Sequence, residues 1–154
     1  MIIEIDKNLL EADVEAFAHS CNCFKTMGSG IAAQIKAKYP EMYKADFAHG
    51  RRGDRTVLGT FSWVKCHDGK IGYNVYGQYT FGMNKRHTSY DAVDTGLTAI
   101  RNHAILNNIN KLGLPKNMGC ALGGGNWGVV RAIIEAVFQD FPSMEVYICN
   151  YQPT

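Results

Sequence analysis

Two short glycine turns precede segments whose apolar residues recur at helical spacing. Gly28-Ser29-Gly30 stands before Ile31, Ile35 and Tyr39, and Gly123-Gly124-Gly125 stands before Asn126, Val130, Ile133, Ile134 and Val137. A helix start leaves backbone N–H groups without acceptors and carries a partial positive charge. Glycine lets such a backbone close on an anion and adopt positive φ. Two turns of this kind on neighbouring strands would grip two phosphates, so the chemistry expected is recognition of a diphosphate. A tight turn alone explains one glycine run; its repetition in the same strand–turn–helix order favours the ligand. Neither turn is followed by a Walker lysine, and Gly28-Ser29-Gly30 is not a G-x-S-x-G elbow. Gly28-x-Gly30-x-x-Ala33 has the letters of the dinucleotide fingerprint. A second helical segment follows it instead of a strand, however, and no acidic residue ends a strand about 20 residues later.

His19, Cys21 and Cys23 alternate, so an extended chain would point all three the same way. Zinc would need a fourth ligand, and structural sites use C-x2-C-type turns, so no metal is expected. The five cysteines, Cys21, Cys23, Cys66, Cys120 and Cys149, show no repeated spacing. The odd count and the acids Glu4 and Asp6 within the apolar N-terminus argue against a secretory signal and for reduced thiols in a cytoplasm. His49, His67, His87 and His103 sit in polar surroundings and are expected on a solvated surface. The basic run Arg51-Arg52-Gly53-Asp54-Arg55 reads as a solvated turn.

The elements that must position these residues follow from periodicity. MIIEI reads as a first strand and Val14–Cys21 as a second, nearly continuous apolar one, as in a sheet buried on both faces. Ile31 to Tyr39 reads as a helix stopped by Pro40, and EMYKADFAHG as a second, closed by Gly50. TVLGTFSWVKC and KIGYNVYGQY flank His67-Asp68-Gly69-Lys70 as a hairpin. Thr88-Ser89-Tyr90-Asp91 fits a capping box ahead of Tyr90, Val93, Leu97, Ile100 and Ala104, a helix running to about Asn107. KLGLP, the helix capped by Asn126, and MEVYICNY complete the order β β α α β β α β α β. Strands interleaved with helices imply one α/β domain spanning residues 1–154, three layers deep, with helices on both faces of a mixed, mostly parallel sheet of about six strands. Its 154 residues, 46% of them hydrophobic, suffice for a core without staples. No apolar run approaches the roughly 20 residues of a membrane span. A net charge of +2 without a continuous basic stripe counts against nucleic acid as partner.

Ala18-His19-Ser20-Cys21-Asn22-Cys23 followed by Met27-Gly28-Ser29-Gly30-Ile31-Ala32 resembles the first ligand loop of macro domains, in the subgroup with "A-H-x-x-N … M-G-x-G-I-A". Pro115-Lys116-Asn117-Met118-Gly119-Cys120-Ala121-Leu122-Gly123-Gly124 through Trp127 is similar to that subgroup's second loop, usually "P-x-I-G-C-G-L-x-G-x-x-W". Tyr76-Gly77-Gln78 and Thr88-Ser89-Tyr90-Asp91 resemble its middle segment. The likeness spans most of the chain.

The resemblance implies a macro-domain fold that binds ADP-ribose, with no cofactor. The subgroup contains ADP-ribose-1''-phosphate phosphatases and terminal ADP-ribose glycohydrolases, so hydrolysis of ADP-ribose-1''-phosphate is the activity expected. A non-catalytic reader, or a hydrolase of ADP-ribosyl adducts or of O-acetyl-ADP-ribose, are the alternatives. The partners implied are ADP-ribose, its derivatives and ADP-ribosylated proteins. Asn22 matches the asparagine that contacts the distal ribose, and His19 matches a histidine that could shuttle a proton. Ligand contacts are implied for Asn8, Cys21, Met27, Gly28, Ser29, Gly30 and Ile31 on the first side. On the second they are implied for Gly119, Cys120, Ala121, Leu122, Gly123, Gly124 and Gly125, and at the C-terminus for Asn150 and Tyr151. Asn8 stands where many macro domains have an aspartate for adenine, and Tyr151 would stack on the base. The glycohydrolase branch uses a lysine from the middle segment and an aspartate in the second loop; here Gln78 and Gly123 stand near those positions. A lysine-linked covalent mechanism therefore lacks its residues.

Overall fold

The protein is described from a computed structural model over residues 1–82 and 85–150. Six strands, β1 (Ile2–Ile5), β2 (Ala16–Ser20), β3 (Phe61–Lys65), β4 (Ile71–Val75), β5 (Lys111–Pro115) and β6 (Glu145–Cys149), form one sheet. Their order is β1-β6-β5-β2-β4-β3, and every neighbouring pair is parallel except β4 with β3. The helices are α1 (Gly30–Lys38), α2 (Pro40–Ala48), α3 (Tyr90–Leu106) and α4 (Trp127–Phe138). The expected element order and the three-layer mixed sheet are both present.

The pleat of β2 shows why the sheet is buried twice. Ala16 and Ala18 pack with Val93, Leu97, Ile100, Val130 and Ile134 from α3 and α4. Phe17 packs on the opposite face with Ile35, Tyr39 and Met42 from the α1–α2 side. A strand covered on both faces has no solvent-facing alternate positions, which is why β2 reads as a nearly continuous apolar run broken only by the buried His19 and by Ser20. The chain leaves β2 for α1 on one face and leaves the neighbouring β5 for α4 on the other. Connections that diverge from adjacent parallel strands open a crevice at the strands' carboxyl ends.

Local details differ from expectation in three places. The second strand is shorter than Val14–Cys21, because Cys21 and the residues after it form the turn into α1. The cap of α3 is Ser89, whose hydroxyl accepts from the Ala92 N–H at 3.2 Å, and not Thr88. Thr88 instead donates to the Gly119 carbonyl at 2.6 Å, tying the middle segment to the second loop. The histidines are not uniformly solvated. His49 stacks on Tyr76 with ring centroids 5.0 Å apart, and His103 Nδ1 accepts from the Tyr73 hydroxyl at 2.7 Å. Asn126 caps α4 as expected, accepting from the Val129 N–H.

Candidate functional site

A cavity of about 580 Å³ lies at the carboxyl ends of the central strands, within the size range of small-molecule sites. Following the sheet order, Leu9 and Cys149 line it beyond β1 and β6, Pro115 to Gly119 beyond β5, Ser20 to Asn22 beyond β2, and Gln78 beyond β4. Its lining among the described residues includes one cation, Lys116, and no carboxylate or imidazole.

The first loop and the start of α1 form one wall. The backbone N–H groups of Gly28, Ser29, Gly30, Ile31 and Ala32 have no hydrogen-bond acceptor among the described residues. Gly30 holds φ +58°, and nothing stands within 4 Å of where its Cβ would be. Glycine is therefore needed there for backbone conformation and not for packing within the protein. Ser29 occupies the cap position, yet its hydroxyl makes no cap hydrogen bond.

The second loop forms the facing wall with Gly119, Ala121, Leu122 and Gly123. These four backbone N–H groups also lack acceptors among the described residues. The cavity thus lies between two rows of free donors, an arrangement suited to a diphosphate. Gly124 and Gly125, expected as contacts, do not line it. A Cβ on Gly124 would stand 2.9 Å from the Lys85 carbonyl oxygen, and one on Gly125 would stand 2.9 Å from that of Gly119. These glycines let the loop close on its own backbone and on the middle segment.

Asn22 lines the cavity and is 8% exposed. Its Oδ1 accepts from the Phe24 N–H at 2.8 Å, and its Nδ2 donates to Thr26 Oγ1 at 2.7 Å. Nδ2 also lies 3.5 Å from the Thr26 carbonyl, so the side chain is held by an Asx turn with one Oδ1 lone pair left to face a ligand.

His19 requires correction as a proton shuttle. Its ring is 0% exposed and does not line the cavity. Nε2 donates to Asn74 Oδ1 at 2.6 Å. Asn74 Nδ2 in turn donates to Ser62 Oγ and to the Met42 carbonyl, each at 3.1 Å. Ser62 pairs with the Tyr76 hydroxyl at 2.9 Å, which donates to Asp46 Oδ1 at 2.8 Å. Burial pushes the His19 imidazole down to about 4, outweighing the Asn74 bond that acts the other way. It is a neutral structural donor in the floor beneath the cavity. Cys21 does line the cavity, with Sγ 3.4 Å from His19 Nε2. Burial raises its thiol well above the ordinary value, so it is protonated at neutral pH and is not a nucleophile. Among the described residues no group of three or more His, Cys, Asp or Glu could hold a metal ion.

Four other expected contacts sit elsewhere. The Asn8 side-chain Oδ1, expected to accept from adenine, accepts from the Leu10 N–H at 3.0 Å, and Asn8 does not line the cavity. Met27 is buried in the core on the α1–α2 side. Cys120 packs against the α3–α4 core, and its thiol points to the Met118 carbonyl at 3.3 Å. Asn150 Nδ2 donates to Asp6 Oδ1 at 3.2 Å, off the cavity wall. Tyr151 lies outside the described residues. Sequence reasoning missed Leu9, Ser20, Thr26, Gln34, Phe81, Met118 and Cys149 as lining residues. For Ser20 and Cys149 the available signal was position at the carboxyl end of a parallel strand. Gln78 also lines the cavity, with its Nε2 anchored on the Thr80 carbonyl at 2.9 Å. A Cβ at Gly123 would stand 2.9 Å from Gln78 Oε1.

No protein-family model matches the chain. The solved macrodomain of Mycobacterium tuberculosis DarG is 30% identical and superposes with a TM-score of 0.83, covering 100% of this chain and 99% of that one. The DNA ADP-ribosyl glycohydrolase of the same organism is 29% identical over 147 residues, which are 96% of this chain and 41% of that protein. This chain therefore spans about two fifths of that relative's length. A 50-residue segment, 32% of this chain and 20% of the relative, is 42% identical to an ADP-ribose 1''-phosphate phosphatase of Ajellomyces capsulatus. With the cavity between two glycine-bearing loops at the carboxyl ends of a six-stranded mixed sheet, and with full-length likeness to the DarG macrodomain, the chain belongs to the macrodomain family.

Proposed function

We propose that the protein binds ADP-ribose and hydrolyses ADP-ribose 1''-phosphate to ADP-ribose and phosphate. The observation that carries the ligand is the pair of facing rows of N–H groups across the cavity that have no acceptor among the described residues. The apolar end near Leu9, Ile31 and Cys149 suits a flat base, and the amide-lined end at Asn22 and Gln78 suits the distal ribose. The phosphatase relative and the glycohydrolase relative both act, by their names, on ADP-ribose derivatives.

The proposed chemistry uses water. A water oxygen bonds to the terminal phosphorus while the bond from phosphorus to the ribose 1''-oxygen breaks. The electron pair stays on that oxygen, which takes up the proton the attacking water loses, relayed through a phosphate oxygen, while the water's other proton remains on the new P–OH. No imidazole or carboxylate of the described cavity lining takes part, so a phosphate oxygen accepts the water's proton and passes it to the leaving ribose oxygen. The protein supplies alignment and backbone donors for the phosphoryl oxygens. The lack of a general base in the described lining also favours a second reading, an ADP-ribose reader that turns nothing over.

Calorimetric titration should show ADP-ribose binding at least about tenfold tighter than AMP, about 1.4 kcal/mol, because only ADP-ribose spans both loops. Equal affinities would remove the paired-loop argument. Turnover of ADP-ribose 1''-phosphate on the same sample then separates hydrolase from reader. Asn22→Ala should weaken ADP-ribose binding by about 0.5–1.5 kcal/mol per hydrogen bond lost. Turnover should fall much further, because the ribose would no longer be aligned. A variant as fast as the parent would reduce Asn22 to a turn residue.

A further inference from the structure

Gln78 stands half-buried at the amide-lined end of the cavity, held in one orientation. Its backbone bridges antiparallel to Thr88, and its N–H donates to the Cys21 carbonyl at 3.4 Å. Its side-chain Nε2 donates to the Thr80 carbonyl at 2.9 Å. A carbonyl only accepts, so this bond turns the NH2 end of the amide to Thr80 and leaves Oε1 on the other side. Oε1 has no donor among the described residues. It lies against Gly123 of the second loop, where a Cβ would stand 2.9 Å from Oε1, 2.6 Å from Thr88 Oγ1 and 2.6 Å from the Gly119 carbonyl oxygen. A side chain at Gly123 would displace Oε1. The Gly123 carbonyl accepts from the His87 and Thr88 N–H groups at 2.8 and 3.0 Å, while its own N–H has no acceptor among the described residues. An anchored acceptor and an unpaired donor thus stand side by side at this end.

The other side-chain oxygens nearby differ. Asn22 Oδ1 is already engaged by the Phe24 N–H, and Ser20 Oγ is buried away from the open space. The amides of Gln34 and Asn117 are exposed and anchored by no hydrogen bond among the described residues. Lys116 is paired with Glu4 at 2.9 Å. In a cavity walled by N–H donors, a water turns its lone pairs to the walls and not to phosphorus unless an acceptor holds its O–H. A neutral amide oxygen does this without the repulsion that a carboxylate would exert on the diphosphate.

We propose that Gln78 is a catalytic residue that orients the attacking water. Oε1 accepts one O–H of the water and turns a lone pair to phosphorus, while the neighbouring Gly123 N–H donates to a phosphoryl oxygen. The bond from the water oxygen to phosphorus forms as the bond from phosphorus to the ribose 1''-oxygen breaks. The proton held by Oε1 stays on the new P–OH, and the other passes through a phosphate oxygen to the ribose oxygen. Gln78 neither gains nor loses a proton. The proposal rests on the hydrolase reading, and its test separates the two.

The test is steady-state hydrolysis of ADP-ribose 1''-phosphate, with calorimetry on ADP-ribose, for the parent, Gln78→Met and Gln78→Glu. Gln78→Met keeps the length of the side chain and removes the acceptor. Its kcat should fall at least about 30-fold, with KM and the ADP-ribose Kd within about threefold of the parent's. Gln78→Glu keeps an acceptor and adds a charge near the diphosphate. Its kcat should stay within about fivefold of the parent's, while KM rises at least about tenfold. Loss of folding does not produce this opposite split, and the calorimetric stoichiometry counts the folded sites in each variant. A rise in KM and Kd in Gln78→Met with kcat unchanged would overturn the proposal and place Oε1 on a ribose hydroxyl. Equal loss of kcat in both variants at parental stoichiometry would also overturn it, since the acceptor would then make no difference. A parent that binds ADP-ribose without hydrolysing the phosphate ester refutes the hydrolase reading and the proposal with it. An active parent with an equally active Gln78→Met refutes the proposal alone.

Discussion

Gly30→Glu is expected to weaken ADP-ribose binding by at least about 100-fold, or about 2.7 kcal/mol, while the protein remains folded. Gly30 begins α1 with φ +58°, and its N–H and those of its neighbours have no acceptor among the described residues. A carboxylate placed there meets the diphosphate as a like charge in a partly enclosed space, where screening water is reduced. The empty protein has room for the side chain, since nothing lies within 4 Å of the Cβ position. The remaining cost is the left-handed backbone conformation, about 1–2 kcal/mol for a residue with a Cβ. The melting temperature should therefore drop by no more than about 8 °C. Gly30→Ala carries the same backbone cost without the charge and should keep binding within about tenfold. Calorimetry on both variants decides it: normal ADP-ribose affinity in Gly30→Glu would show that the first glycine turn is not a phosphate site. The affinity of the parent for ADP-ribose should also decline only gently with salt, because neutral N–H groups hold the diphosphate.

Acid should destabilise the fold through His19. Its imidazole titrates near 6.5 when unfolded and is depressed to about 4 when folded, by burial. Between those values the unfolded chain takes up a proton that the folded chain refuses, so stability is full above about 6.5 and is lost as pH falls toward 4. Lowering pH from about 7.5 to about 4.5 should remove about 2.5 kcal/mol from this group alone. Urea unfolding at the two pH values measures the loss, and the same pair of measurements on His19→Gln isolates it. That variant should be less stable at neutral pH, since the bond to Asn74 anchors a chain of buried polar groups ending at Asp46. Its stability should change with pH by about 2.5 kcal/mol less than the parent's. An unchanged pH slope in the variant would show that His19 is not the group responsible. Hydrolysis measured between pH 5 and 8 should likewise show no inflection owed to His19, whose folded value lies below that range.

The order of elements, the three-layer sheet and the two loops were legible in the residues because each rests on local signals. Helical and strand periodicity, the Asn126 cap and the proline after Tyr39 act over four residues or fewer. The first loop was legible as a glycine turn ahead of a helical segment, and the structure adds that Gly30 holds positive φ there. What faces the cavity was decided only by tertiary structure. His19 and Cys21 point the same way along the chain, yet Cys21 lines the cavity and His19 does not, because Asn74, 55 residues away, closes over the imidazole. Gly124 and Gly125 look like phosphate-binding glycines in sequence and prove to be packing glycines, since the middle segment and Gly119 lie against them. The cap of α3 shifted from Thr88 to Ser89 because Thr88 was drawn to the Gly119 carbonyl across 31 residues. The Arg55 guanidinium reaches the Tyr79 ring, 24 residues away, only through the fold. Local periodicity determines which residues share a face. Whether that face meets solvent, core or ligand depends on long-range contacts that no window of the sequence contains.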